Sequence, residues 1–464
     1  MKQIIILLFV FIWTHSFAQS SKILEKPRVD ERVELLSIVF RLAESDEYSS
    51  EIFKLYTDKI NAHYGSFKNH ELIRFIKKLR KDKNVGYEAV MMMAVHIDSK
   101  LNPLIEFTDA TAGSWGKDNA YRFIRLLKKF YKDTGSKAFF KSNQGLYEEV
   151  SKRFLPVYEH LDLAWYTSFY GKEPNEKFVI INGVGNGAGN YAASFNATNG
   201  KRQVYAIMGT TDTDSTGMAI FPVDRYFPTL VHEFNHSFVN LFLDKDPGPF
   251  KKSGEIIYKV VASKMNNGGY GSWQSMLIEA QVRAAVIKYM KDHKFPENDI
   301  SREVNEQKYR GFLWIEELVA ELESYDRQRN NYPTLESYLP NLAKAYDIYA
   351  KNMNTYVENY AAKRPAFVSL NEFINGDQNV DSSIKQITIN FDKPFSGAQF
   401  IAPGKDGKAF PNIKSLSYSD DKKSAILGWA LQSNTEYQFI LIGLSPKTSE
   451  DKSNGNYEIN FKTK

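Results

Sequence analysis

The 464-residue chain contains no cysteine. That excludes a small fold stapled by disulfides, and any metal site must use histidines and carboxylates rather than thiolates. It also excludes a lipid anchor on an N-terminal cysteine. A strong charge bias is missing as well: 60 basic and 55 acidic residues are interspersed and the net charge is only +5. No basic stripe alternates with aromatics, so nucleic acid is not an expected partner. After the first twenty residues no apolar run is long enough to cross a membrane.

What is present is ordinary globular material, 43% hydrophobic and 25% charged, with enough length for two or three domains. Met1-Lys2-Gln3, an apolar run from Ile4 to Trp13, and Ser16-Phe17-Ala18 form a secretory signal with cleavage expected after Ala18. The chain is therefore expected to be exported, periplasmic or extracellular, with no membrane span after cleavage and without a lipoprotein anchor.

From Val29 to about Leu163 apolar residues recur at helix spacing, as in Val33, Leu35, Leu36, Val39 and Leu42. Asn69 is the expected N-cap of a helix through Leu72, Phe75, Ile76 and Leu79. His96, in an apolar helix, reads as a core histidine. Strands are expected at Phe178–Asn182, Tyr191–Phe195 and Gln203–Met208, forming a small antiparallel sheet. The Gly-rich stretch 183–190 reads as a hairpin tip, because no Lys-Ser/Thr closes it as a phosphate loop would. An edge strand here can pair with an extended peptide. Further helices are expected from Glu255 to Met265, Trp273 to Met290, Phe312 to Tyr325 and Thr334 to Tyr360. After about Asp377 short alternating strands take over (Ile384–Phe391, Ser424–Trp429, Tyr437–Ile442, Tyr457–Phe461). Their spacing suggests an all-β Ig-like sandwich, and Ile387–Pro394 resembles the opening strand of bacterial Ig-like modules.

The chemistry concentrates in Thr229–Leu243, which contains His232-Glu233-Phe-Asn-His236. On a helix the two histidines project from one face, one turn apart, and can hold one zinc ion (Zn2+). Glu233 points to the same side and can reach a water on that metal. Pro228 is expected to end the preceding segment, with Thr229 as N-cap. A third ligand is needed, and position 242, where a third histidine would extend the motif, is Phe242. Two carboxylates compete. Glu279 lies among Leu277, Ile278, Ala280 and Val282, where an ionised carboxylate needs a cation. Glu255 follows Lys251 and Lys252 and reads as an exposed first-turn residue. Glu279 is preferred, with Arg283 one turn later to hold it or to bind substrate.

His232–Asn240, Tyr270-Gly-Ser-Trp273 and Glu279-Ala-Gln-Val-Arg283-Ala284 together resemble a bacterial family of secreted proteins catalogued as a domain of unknown function. That family is itself similar to gluzincin-type zinc peptidases, and the family's own pattern places a glutamate at the position of Glu279. The resemblance covers about residues 30–360. It implies an α+β fold: a mainly helical, zincin-like metallopeptidase domain with a small antiparallel sheet, followed by the Ig-like sandwich. The expected division is 1–18 signal, 19–165 N-terminal helical part, 166–370 catalytic domain and 378–464 Ig-like sandwich.

The expected function is a secreted zinc metallopeptidase acting on a peptide or protein. Glu233 is general base to the attacking water and passes the proton to the leaving amine. Tyr270 and Arg283 are candidates for a donor to the oxyanion. Two alternatives stand beside it: a zinc amidase acting on cell-wall or glycopeptide substrates, and a non-catalytic surface-binding protein that works through the Ig-like module.

Overall fold

The computed structural model describes residues 24–173, 176–196, 202–243, 247–395, 401–404, 406–442, 444 and 457–464. The expected signal, residues 1–18, lies outside them. The fold is mixed α+β. Helices occupy the N-terminal part: α1 Glu31–Leu42, α2 Lys54–Tyr64, α3 Glu71–Lys83, α4 Tyr87–Val95, α5 Asp109–Ala112, α6 Lys117–Asp133, α7 Ser136–Ser142, α8 Gln144–Arg153, α9 Leu155–Glu159 and α10 Leu163–Tyr170. Strands β1 Lys177–Asn182, β2 Tyr191–Asn196 and β3 Arg202–Met208 follow. Then come α11 Val223–Leu243, α12 Lys251–Asn267, α13 Trp273–Asp292, α14 Glu297–Arg310, α15 Ile315–Arg327 and α16 Leu339–Lys363. The remainder is β: β4 Phe367–Leu370, β5 Gln386–Phe391, β6 Ile401–Pro403, β7 Asn412–Tyr418, β8 Ser424–Ala430, β9 Glu436–Leu441 and β10 Tyr457–Lys462. Among the described residues no helix is long and apolar enough to cross a membrane.

The chain forms two compact units. One takes residues up to Lys245 with Ala285–Phe295 and Tyr325–Tyr338; the other takes Asp246–Ala284, Pro296–Ser324 and Leu339–Lys464. Helix α13 is unbroken and contributes its first part to the second unit and its last part to the first.

In the first unit α1 is buried along almost its whole length, with Leu35, Leu36, Ile38, Val39 and Phe40 at 1% exposure or less. Helix α3 is capped by His70, whose side chain accepts from the Leu72 amide, so the cap falls one residue after Asn69. The three-stranded sheet has the order β1-β3-β2, with β1 parallel and β2 antiparallel to β3. It is therefore mixed, and the Gly-rich stretch 183–190 is not a hairpin tip, because β1 and β2 do not pair. Gly185 serves close approach to α1 instead. A Cβ on Gly185 would lie 2.9 Å from the Ser37 side chain and 3.0 Å from Glu34 Oε2, and Gly187 has a φ of +57°. The Gly185 amide donates to Glu34 at 3.0 Å. The outer edge of β1 is taken by residues 24–28, with Leu24 bridged to Phe178 and Arg28 to Ile181. Beside β2, a His96 ring nitrogen meets the Ser194 carbonyl at 3.2 Å, which accounts for that buried histidine.

In the second unit the β strands form two antiparallel sheets, β4-β5-β8-β7 and β10-β9-β6. Their inward residues, including Ile387, Ile389, Leu427, Trp429, Phe439 and Ile459, make one apolar cluster. β4 joins this sheet from before residue 378. β4 and β6 are short, and β7 is largely exposed along its length, so none of the three carries a clear alternating apolar signal. Helix α12 begins at Lys251, which puts Glu255 beyond the first turn rather than in it.

Candidate metal centre

Helix α11 is longer at its start than its sequence suggests. It begins at Val223, with Pro222 O accepting from the amides of Arg225 and Tyr226, and Pro228 lies inside it. Thr229 is therefore not the N-cap. Packing explains why the helix continues through the proline: Tyr226 lies edge-on against Phe154 and Phe221, and Phe227 lies tilted against Tyr289 and stacked on Phe295, at 5.1–6.0 Å. These contacts offset the single backbone bond that a proline forfeits.

Further along, the apolar face of α11 is fully used. Leu230, Val231, Phe234, Phe238 and Val239 are buried. Phe234 meets Phe178 of β1 at 4.4 Å, and Phe238 is stacked on Tyr170 of α10 at 4.4 Å with an 8° interplanar angle. Asn235, also buried, accepts from the Tyr170 hydroxyl at 3.1 Å. His232, Glu233 and His236 fall on the other, half-buried side. The two Nε2 atoms are 3.2 Å apart. Two nitrogens on a tetrahedral zinc at about 2.0–2.1 Å would be about 3.3 Å apart, so the pair matches the edge of such a site. Glu88 of α4 lies close enough to His236 to feel its charge.

Glu279 lies on α13, where Met276, Leu277, Ala280 and Val282 are buried around it, and its own side chain is 12% exposed. Its Oε2 accepts from Arg283 Nη2 at 2.9 Å. The same Nη2 donates to the Tyr270 hydroxyl at 2.7 Å, and Arg283 Nη1 donates to Gln307 Oε1 at 2.8 Å. The Gln307 amide in turn donates to Glu303. The guanidinium also packs over the Phe312 ring at 5.2 Å. Burial works most strongly against the charge of Arg283, but the adjacent Glu279 carboxylate and Tyr270 hydroxyl together outweigh it and hold the guanidinium above its ordinary pKa. Burial pushes the Tyr270 hydroxyl up, with Arg283 opposing. Burial likewise pushes the Glu303 carboxyl up.

His232, His236 and Glu279 each offer one ligand atom, and these atoms all lie within 4.8 Å of one another. Two imidazoles and one carboxylate suit zinc, and the set leaves a coordination position for water or substrate. The donor set therefore fits the metal that the sequence suggests. Glu255 is exposed and is not part of the cluster. Tyr270 and Arg283 are committed to one another and to Glu279 or Gln307, which places both behind the carboxylate.

Gln307 and Glu303 are absent from the expectations above, and Phe312 enters them only as the start of a helix. Gln307 and Glu303 lie on α14, a largely polar helix whose buried residues are Ile300 and Gln307. The available signal was the helical spacing of Ile300, Val304 and Gln307 after Pro296.

Residues 27–345 match the family described as "Domain of unknown function (DUF4932)", and the chain belongs to that family. No curated protein matches it. Among solved structures it is similar to the surface layer protein SbsC, domains 1-6, at 18% identity, over 52% of this chain and 32% of that one, with a TM-score of 0.15. The N-terminal part of the bacterial S-layer protein SbsC matches at 15% identity, over 50% of this chain and 58% of that one, with a TM-score of 0.16. The chain thus spans less than two thirds of either, and at such TM-scores nothing about it follows from them.

Proposed function

For this member of the DUF4932 family, we propose the function of an exported zinc-dependent hydrolase, with peptide bonds as its substrate. The observation that carries the reading is the convergence of one ligand atom each from His232, His236 and Glu279 within 4.8 Å. These three would hold the zinc. When bound, the ion would supply Lewis acidity toward a carbonyl and a water acidic enough to attack near neutral pH. The protein's own part is divided. Glu233 takes the proton of the attacking water and returns it to the leaving amine. Arg283 fixes the Glu279 carboxylate through an ion pair that Tyr270 and Gln307 hold in place.

The finer architecture belongs to the same proposal: a zincin-like catalytic domain over 166–370 and an Ig-like sandwich over 378–464. Support for the sandwich comes from strand order. With β4 to β10 lettered A to G, the sheets run A-B-E-D and G-F-C, the arrangement of a seven-stranded Ig-like domain.

The test is metal analysis of the purified chain together with Glu233→Gln. The expected result is stoichiometric zinc in both proteins, peptide cleavage by the parent, and cleavage reduced by about 10²–10⁴-fold in the variant. Absence of zinc from the parent would sink the reading. Zinc without Glu233-dependent peptide cleavage would move it to the amidase, if cell-wall amides are cut, or to a non-catalytic surface protein, if nothing is.

A further inference from the structure

A second recess lies wholly in the second unit, bounded by the last turns of α12 and α16 and by the Gly311–Leu313 connection. Its cavity volume is about 50 Å³, and about 500 Å³ when the solvent-filled mouth is included. We propose that it binds a small organic anion with a short apolar tail, a carboxylate or a phosphate monoester.

Its walls are apolar, from Val260, Val261, Leu313 and Val357, and Val260 is 39% exposed there. Three cations also line it, Lys264, Lys308 and Arg364. Lys308 is neutralised by an ion pair with Glu316. Lys264 makes no ion pair among the described residues; its ammonium rests over the Tyr309 ring at 4.6 Å. The Arg364 guanidinium lies over the Tyr360 ring at 5.3 Å. Burial lowers the pKa of Lys264 and the positive charge of Arg364 lowers it further, so the two cations repel one another. Burial also lowers that of Arg364. Helix C-termini favour cations, and both residues sit near one. That effect accounts for their sign but not for their meeting at one apolar hollow. An anion placed there relieves the repulsion, and a short tail covers the exposed valine wall.

Gly311 builds the hollow. It has a φ of +108°, and a Cβ on it would lie 2.8 Å from Met265 and 2.9 Å from the Lys264 stem. Only glycine lets this connection pass so close to α12.

The experiment is isothermal titration calorimetry on the full exported chain, zinc-loaded and zinc-stripped, so that the outcome is independent of the metal centre. The probes are octanoate, octyl phosphate, neutral octanamide and inorganic phosphate. Saturable one-to-one binding of octanoate or octyl phosphate is expected, and which of the two binds more tightly identifies the head group. Octanamide and inorganic phosphate should bind at least tenfold more weakly. Lys264→Met should weaken the anion at least tenfold, and Lys308→Met less than threefold. Val357→Glu, which places a carboxylate on the wall, should abolish binding and stands in if Lys264→Met does not fold. On binding, amide exchange should slow in the last turns of α12 and α16. No saturable binding by either anion, equal binding of octanamide or inorganic phosphate, or undiminished affinity in both Lys264→Met and Val357→Glu overturns the proposal.

Discussion

Two of the carboxyl groups that this protein encloses, Glu279 and Glu34, are handled in opposite ways. Glu279 in α13 has a guanidinium at 2.9 Å, itself tied to Tyr270 and Gln307. Glu34 in α1 is fully buried and has no ion-pair partner among the described residues; the Gly185 amide is its bonded donor at 3.0 Å. Burial pushes the Glu34 carboxyl up to about 8, with Tyr56 and the amides of Val184 and Gly185 opposing. An enclosed acid is thus no sign of a metal in itself. Glu279 stands near two imidazoles and is ion-paired to a guanidinium, whereas Glu34 stands under a glycine-rich loop and burial favours its protonated form.

The sharpest way to break this contrast is to remove the charge of Glu279 alone. Glu279→Gln should lose bound zinc on dialysis, read by elemental analysis, while the far-ultraviolet circular dichroism stays that of the parent. Retention of full zinc would end the assignment of this residue as third ligand. Next in size is the support behind it. Arg283→Leu should keep all three ligands yet weaken zinc by about 10–100-fold, measured by competition with a chelator. Glu34→Gln probes the other arm. In the parent, Glu34 adds nothing to pH dependence below about 4.5, where folded and unfolded chains both hold the proton. Between about 4.5 and about 8 the unfolded chain releases a proton that the folded chain keeps, so stability falls as pH rises. Thermal melting of Glu34→Gln should lack that part of the fall. The smallest effect is expected from Glu255→Gln, with zinc unchanged and stability within about 0.5 kcal/mol, as for an exposed substitution.

The candidate site was legible where chemistry follows local spacing. The four-residue separation of His232 and His236 places both on one face of α11, and the apolar neighbours of Glu279 announce its burial. What is missing from that reading depends on contacts distant in sequence. The partner of β1 is β3 and not β2, a choice made by pairing across the sheet, so the glycines of 183–190 read locally as a turn. Pro228 reads as a stop because most of the rings that support the turn around it, Phe154, Tyr289 and Phe295, come from other parts of the chain. Gln307 was hidden by its own polarity: a buried amide that serves Arg283 looks, in sequence, like a solvated one. The same argument that favoured Glu279 applies word for word to Glu34 between Val33 and Leu35. Only the presence of Arg283 and the histidines separates them.

The short segment laid along β1 has a consequence for how this protein reaches its native state. Residues 24–28 pair with a strand about 150 positions later in the chain. Such a contact closes a very long loop, so it forms late and slows folding. Until it forms, the outer edge of β1 is open to any other extended chain. The segment is thus a guard against edge-to-edge aggregation that takes its post only near the end of folding. Shortening the chain past Arg28 should show itself first as lower yield of soluble protein on refolding, before any change at the metal centre.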